Sequence, residues 1–308
     1  MNATCTHRPH TRIGVDLGGT KIEAAALDPQ GRILQRRRIL TPRHNYPATL
    51  DAIAGLVQGL EQHLEHPCPV GVGTPGAISP FNGRLRNANS VWLNQRALGE
   101  DLSSLLQREV RIANDADCFA LSEAIDGAAA GACTVFGVII GTGTGGGLVI
   151  DGRLLQGPNA IAGEWGHNPL PWPQPEELPG PPCYCGKQGC IETFCSGPAL
   201  SADLQRATGK VMDVPAMVTA AAHGDQDALA ALQRHEHRLA RALAAVINLL
   251  DPDVIVLGGG LSKLDRLYAN LPALILPYVF SDGLATRIVP PRYGDASGVR
   301  GAAFLWPA

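Results

Sequence analysis

Two hydrophobic regimes alternate along the chain: short apolar runs that end in glycine, and longer segments whose apolar positions recur every three or four residues. Ile13-Gly14-Val15-Asp16 predicts a strand that runs into the bend Leu17-Gly18-Gly19-Thr20-Lys21. Ile22 to Leu27 predicts a second strand, Asp28-Pro29-Gln30-Gly31 a hairpin turn, and Arg32 to Ile39 a third strand. From Pro47 to His66 the positions Leu50, Ile53, Val57, Leu60 and Leu64 step by three and four, the period of an amphipathic helix. Val70 to Gly73 then reads as a strand entering Thr74-Pro75-Gly76, and Leu102, Leu105 and Leu106 mark a helix before the strand Val110 to Ala113. That strand feeds Asn114-Asp115-Ala116-Asp117, polar groups opening a helix that continues through Leu121 and Ile125. A strand end feeding a helix start is where open α/β sheets place ligands.

The second half begins as the first does. Val135 to Ile140 predicts a strand, Gly141 to Gly147 a glycine bend, Leu148-Val149-Ile150 a strand, Asp151-Gly152 a turn, and Arg153-Leu154-Leu155 another strand. The same order of strand, bend, strand, turn, strand implies an internal repeat and two similar lobes facing each other. We place the N-terminal lobe over residues 1–118 and a larger lobe over 119–295. A Pro/Glu-rich loop spans Pro169 to Pro182, and helical pattern resumes at Pro198. Leu229, Leu232, Leu239, Leu243, Val246 and Leu250 outline a long helix that ends at Asp251-Pro252. The strand Val254 to Leu257 then enters a third glycine turn, Gly258-Gly259-Gly260. Gly298 to Leu305 predicts a short terminal helix, within residues 296–308, that returns onto the first lobe.

Composition narrows the function. A chain of 308 residues with 45% hydrophobic content can bury a substantial core. A net charge of −3, with no basic cluster beyond the expected solvated run Arg36-Arg37-Arg38, disfavours nucleic acid as a partner. Met1 to Arg12 is polar and lacks the apolar core of a signal peptide, and no uninterrupted apolar run reaches the ~18 residues of a membrane span, so a cytoplasmic protein is expected. Of eight cysteines, three fall close together at Cys183, Cys185 and Cys190, which favours reduced thiols over a disulfide framework. Cys68, Cys118, Cys133 and Cys195 read as small core residues and Cys5 as a tail residue.

Three constellations carry chemistry. In Asp16-Leu17-Gly18-Gly19-Thr20-Lys21 the glycines let backbone N–H groups turn toward phosphate oxygens, and the aspartate could hold a magnesium ion. On its own the segment is equally a plain hairpin, but two further glycine bends after apolar strands suggest a nucleotide held between lobes. Asn114-Asp115 reads first as a helix cap, and as a proton acceptor only if a substrate hydroxyl is delivered to it. His167, Cys183, Cys185 and Cys190 offer one imidazole and three thiolates, a set that closes a tetrahedral zinc shell and makes the metal structural. Glu164 and Glu192 flank these ligands and read either as surface glutamates or as acceptors for sugar hydroxyls.

Together the motifs closely resemble the ROK family of bacterial sugar kinases, and within it the fructokinases that also act on mannose. The resemblance runs from about Arg12 to the C-terminus. It rests on Asp16 to Lys21, Asn114 to Asp117, Ala162-Gly163-Glu164-Trp165-Gly166-His167-Asn168-Pro169-Leu170-Pro171, and Cys183-Tyr184-Cys185-Gly186-Lys187-Gln188-Gly189-Cys190-Ile191-Glu192. Asn87-Ala88-Asn89-Ser90-Val91-Trp92-Leu93-Asn94 and Leu257 to Gly260 point toward the fructokinase branch. The resemblance implies an α/β fold of the actin/hexokinase (ribonuclease H-like) type, with two duplicated lobes and a zinc-binding loop. It implies Asp115 as catalytic base and Gly76, Asn89, Asn114, Glu164, His167 and Glu192 as sugar-binding positions. ATP would be held by Asp16, Gly18, Gly19, Thr20, Lys21, Gly141, Thr142, Gly143, Gly258 and Gly259, with Mg2+ bridging its phosphates. The resemblance also implies a homodimer and phosphorylation of D-fructose at the 6-hydroxyl to fructose 6-phosphate. The alternatives are a family kinase for mannose, glucose or N-acetylglucosamine, and a non-catalytic sugar-binding member. Family repressors carry an N-terminal helix-turn-helix for which residues before Arg12 leave no room, so an enzyme is expected over a regulator.

Overall fold

The computed structural model describes residues 11–307; Cys5 lies outside the described residues. The first sheet opens with an antiparallel meander, β1 (Arg12–Leu17), β2 (Lys21–Leu27) and β3 (Ile33–Leu40). Helix α1 (Tyr46–Leu64) follows, its first turn capped by Asn45, whose side chain accepts from the Ala48 N–H, and its buried stripe formed by Ile53, Val57 and Leu60. The chain then lays down β4 (Val70–Thr74), a small hairpin of β5 (Ala77–Ile78) and β6 (Leu85–Arg86), helix α2 (Leu98–Leu106) and β7 (Val110–Asn114). Strand order is β3-β2-β1-β4-β7, with β4 and β7 parallel to β1.

Helix α3 (Asp115–Ile125) leads to the second sheet. Strands β8 (Thr134–Ile140), β9 (Thr144–Ile150) and β10 (Arg153–Leu154) repeat the meander. After a long loop come α4 (Glu192–Cys195), α5 (Gly197–Thr208), α6 (Val214–Ala222) and α7 (Gln226–Leu250). Strand β11 (Val254–Gly258), α8 (Asp265–Ile275), β12 (Arg287–Val289) and α9 (Ser297–Phe304) complete the chain. The second order, β10-β9-β8-β11-β12, reproduces the first position for position, so the repeat in the apolar pattern is a repeat of topology.

Helices α3 and α9 pack against each other and join the lobes: α9 lies on β1 and β4, α3 on β8 and β9. The approach of α9 is close enough that a Cβ on Gly71 would stand 1.8 Å from the Ala302 carbonyl oxygen, so only glycine fits there. The terminal helix thus returns to the first lobe as its pattern predicts. A boundary after residue 118 falls inside α3.

Two local expectations are corrected. Arg36 and Arg38 are not merely solvated, because each ion-pairs with Glu23, a carboxylate only 1% exposed on the neighbouring strand. Cys133 is exposed at the entry to β8 and is not a core residue, whereas Cys68, Cys118 and Cys195 are buried. All seven described cysteines are free thiols. Among the described residues no helix is long and apolar enough to cross a membrane.

Candidate active site

Asp115 is the first residue of α3, placed where β7 ends at the mouth of the first sheet. Asn114 is the helix cap: its Oδ1 accepts from the Ala116 N–H (2.9 Å), and its Nδ2 donates to the Gly76 carbonyl (3.0 Å). Asp115 Oδ1 accepts from the same Ala116 N–H at 2.8 Å. Capping and site are therefore one structure, with the cap fixing the carboxylate beside it. Asp115 is open to the cleft but enclosed by both lobes, and the loss of water around its carboxyl pushes it up to about 6; the Ala116 N–H opposes this, and Glu164 raises it further. Asp16, at the end of β1, is also raised to about 6, by burial first and then by the neighbouring charges of Asp115 and Glu23.

Two cavities meet at Asp115. One, of about 720 Å³, is lined by Gly76, Asn89, Asn114, Glu164, His167 and Glu192, the complete set read as sugar-binding. The other, of about 480 Å³, is lined by Asp16, Gly258 and Gly259, together with Ser262, Lys263 and Tyr268. Asp115 and Ile139 belong to both walls. A third cavity of about 1110 Å³, lined by Arg12, Arg111 and Trp306 among others, contains none of the residues read as functional.

The glycine bends divide between these spaces. Thr142 and Gly143 line the cavity of the glutamates and not the one beside Gly258. Gly143 approaches Glu192 closely: a Cβ there would stand 2.6 Å from Glu192 Oε2 and push that carboxylate aside. That oxygen accepts from the Thr144 N–H at 2.9 Å, which aims Glu192 into the cavity from the start of α4. Gly18, Gly19, Thr20, Lys21 and Gly141 line neither cavity. The first four form the β1–β2 turn, closed by the Gly18 N–H donating to the Lys21 carbonyl (3.0 Å). The carbonyl of Gly141 accepts from the Gly197 N–H at 2.8 Å.

Glu164 precedes a single 3-10 turn, Trp165–His167, anchored to β9 because the Trp165 indole N–H donates to the Gly145 carbonyl (2.9 Å). His167 faces two ways. Its Nδ1 lies 3.5 Å from Cys183 Sγ, and its Nε2 lies 2.9 Å from the Tyr184 hydroxyl, whose ring stands edge-on to the imidazole. One ligand atom from each of His167, Cys183, Cys185 and Cys190 lies within 4.8 Å of the others, a separation suited to one metal ion among them. The donor set, one nitrogen and three sulfurs, fits zinc, and four protein ligands leave no open position.

The loop before the cysteines is braced from below. Glu177 accepts from Arg238 Nε (2.8 Å) and Arg241 Nη2 (2.7 Å), while Asp203 accepts from Arg238 Nη1 (2.7 Å). Burial works against the Glu177 charge, but Arg241 and Arg238 prevail and hold its carboxyl down at about 2.

Sequence reasoning missed four contributors. Asn87 and Tyr184 line the larger of the two cavities that meet at Asp115, while Lys263 and Tyr268 line the smaller. Tyr184 and Asn87 lie within segments singled out for their neighbours, and Lys263 follows the third glycine turn. Tyr268 sits on α8, where nothing but tertiary packing brings it to the site.

Known proteins resemble this chain over nearly its whole length. The ROK family model matches residues 12–308. An N-acetyl-D-glucosamine kinase of Erwinia tasmaniensis is 40% identical over 296 residues, covering 95% of this chain and 98% of its own. The crystal structure of a ROK hexokinase from Thermus thermophilus superposes with a TM-score of 0.85 at 30% identity, covering 96% of this chain and 97% of that one. A ROK family glucokinase from Streptomyces griseus, solved in complex with glucose and AMPPNP, does so at 0.76 and 28%, covering 96% and 99%.

Proposed function

This chain belongs to the ROK family and is a sugar kinase with the family's two-lobe α/β fold, and on that premise we propose that it transfers the γ-phosphoryl group of ATP to the 6-hydroxyl of an N-acetylhexosamine, N-acetylglucosamine foremost. The observation that carries the transfer is the position of Asp115 on the shared wall of two cavities. A sugar held by Asn89, Glu164, His167 and Glu192 would present its hydroxyl to Asp115. The carboxylate takes the hydroxyl proton as the oxygen bonds to the γ-phosphorus and the bond to the β-phosphate oxygen breaks, releasing ADP. Gly258, Gly259 and Lys263 would flank the nucleotide. Asp16, a half-buried carboxylate pressed by the charge of Asp115, suits a magnesium ion that neutralises the phosphates. Zinc in the His167 and cysteine set would act as a structural brace, fixing the ring whose other nitrogen meets the Tyr184 hydroxyl.

The choice of sugar rests on the 40%-identical relative named for N-acetyl-D-glucosamine. D-Fructose, with or without mannose, is the second reading, carried by the segment Asn87 to Asn94, two of whose residues line the cavity. A panel of N-acetylglucosamine, N-acetylgalactosamine, glucose, mannose and fructose, assayed for ADP release with ATP, decides between them. We expect kcat/KM for N-acetylglucosamine to exceed that for fructose by about tenfold or more, the range within which a site of hydrogen-bonding groups discriminates. A preference for fructose would overturn the assignment.

A further inference from the structure

Two of the places where the halves of the chain meet bear on the sugar cavity. On one side α3 and α9 form a common core with residues of both sheets. On the other, the walls of the proposed sugar cavity face each other, Asn87 and Asn89 from the first half against Glu164 and Glu192 from the second. Beside that cavity, one residue before Asn87, Arg86, the last residue of β6, reaches the loop between β10 and Glu164. Its Nη2 donates to the carbonyl oxygen of Asn159 at 2.5 Å and to that of Ala160 at 3.3 Å.

Among the described residues, these are the only hydrogen bonds or ion pairs that run directly from residues 12–114 to residues 134–293; the other polar links between the halves pass through α3 or the C-terminal segment that carries α9. Both ends of the contact stand on uncommon backbone. Asn87, next to Arg86, has φ 58°, a left-handed value that Asn adopts readily, and Ala160 has φ 48°, which alanine adopts only where its surroundings hold it there. The loop that Arg86 grips continues directly into Glu164, so its position sets how far that carboxylate stands from Asn87 and Asn89.

We propose that Arg86 is a latch across the mouth of the sugar cavity, a positioning residue that holds the two walls at the spacing a bound sugar spans. A ligand bridging Asn89 and Glu164 favours the same closed arrangement, so latch and sugar reinforce each other by linkage. The nucleotide-side cavity takes only Asp16 from residues 12–114, so its affinity should depend far less on the latch. This inference rests on the assignment of the larger cavity to the sugar.

The test uses the full-length enzyme, with Arg86→Ala and Arg86→Lys assayed on whichever sugar the panel selects. Arg86→Ala is expected to raise the sugar KM by about 5–20-fold, the size of one partly exposed charge-assisted hydrogen bond, with the ATP KM within about twofold. Arg86→Lys, which keeps a charged donor of similar reach, should recover part of the loss. Amide hydrogen exchange in residues 157–163 should quicken in sugar-free Arg86→Ala. An unchanged sugar KM would overturn the latch, as would sugar and ATP KM rising together with a lowered melting temperature. If the wild type selects fructose, the substrate proposal falls and the latch is read on fructose.

Discussion

Asp115 shows how one residue is set by its cap and its neighbours. Enclosure between the lobes raises its carboxyl to about 6, with Glu164 adding to the shift, and Asp16 is raised to about the same value beside it. A base must be ionised to accept a proton, so kcat/KM should reach a plateau above about pH 7 and fall as the pH drops through about 6. Asp115→Asn should cut kcat by about 10²–10⁴-fold while leaving the circular dichroism spectrum unchanged. Near-normal turnover in that variant would remove Asp115 from the role. The place of Asp115 at a polar helix start was legible because a strand feeding such a start is a local pattern, whereas its role as base came only from the family resemblance; the grouping of the cysteines was legible because their spacing is local too. Arg86 and Tyr184 were not, since each acquires its meaning from a partner that only the fold brings near: Asn159 for one, His167 for the other.

At the scale of elements, the loop from His167 to Glu192 has almost no regular structure, so its shape must come from cross-links. The Glu177 brace ties its middle to α7, and the four metal-spaced donors tie its ends together. Glu192 opens α4 directly after Cys190 and Ile191, so a proposed metal ligand and a cavity-lining carboxylate share one short segment. If zinc fills the site, the protein as isolated should carry about one zinc per chain. Its removal with a chelator should lower the melting temperature by about 5 °C or more and weaken sugar binding in the same titration. Unchanged stability and affinity after complete removal would refute the brace. The donors were legible from chemistry and spacing. The Glu177 brace was not, because a Pro/Glu-rich loop carries no periodicity to reveal that one of its carboxylates is only 8% exposed. Short pieces such as β5, β6 and β12 escaped for the same reason: two or three residues cannot display a period.

For the whole molecule, the duplication was legible because each half repeats a long meander whose strands and glycine bends are locally encoded. How the halves are joined was less so, because the joint is made by packing. The C-terminal helix α9 lies on β1 and β4, and the Trp306 indole N–H donates to the Val70 carbonyl at 2.8 Å, so the end of the chain completes the first lobe. Neither lobe is then independent of the other: unfolding the first must strip α9 from α3, and α3 is part of the floor of the second sheet. Gly71→Ala tests this directly, because the added Cβ would meet the α9 backbone, which cannot yield as a flexible side chain would. It should destabilise the protein by about 3 kcal/mol, the upper range of overpacking costs. Denaturant unfolding followed by hydrogen exchange should show peptides from β1–β4 and from β8–β9 losing protection together, at a lower midpoint than in the wild type. Loss of protection in β1–β4 alone, with β8–β9 unmoved, would mean that the lobes are separable and that α3 and α9 form a hinge between independent units.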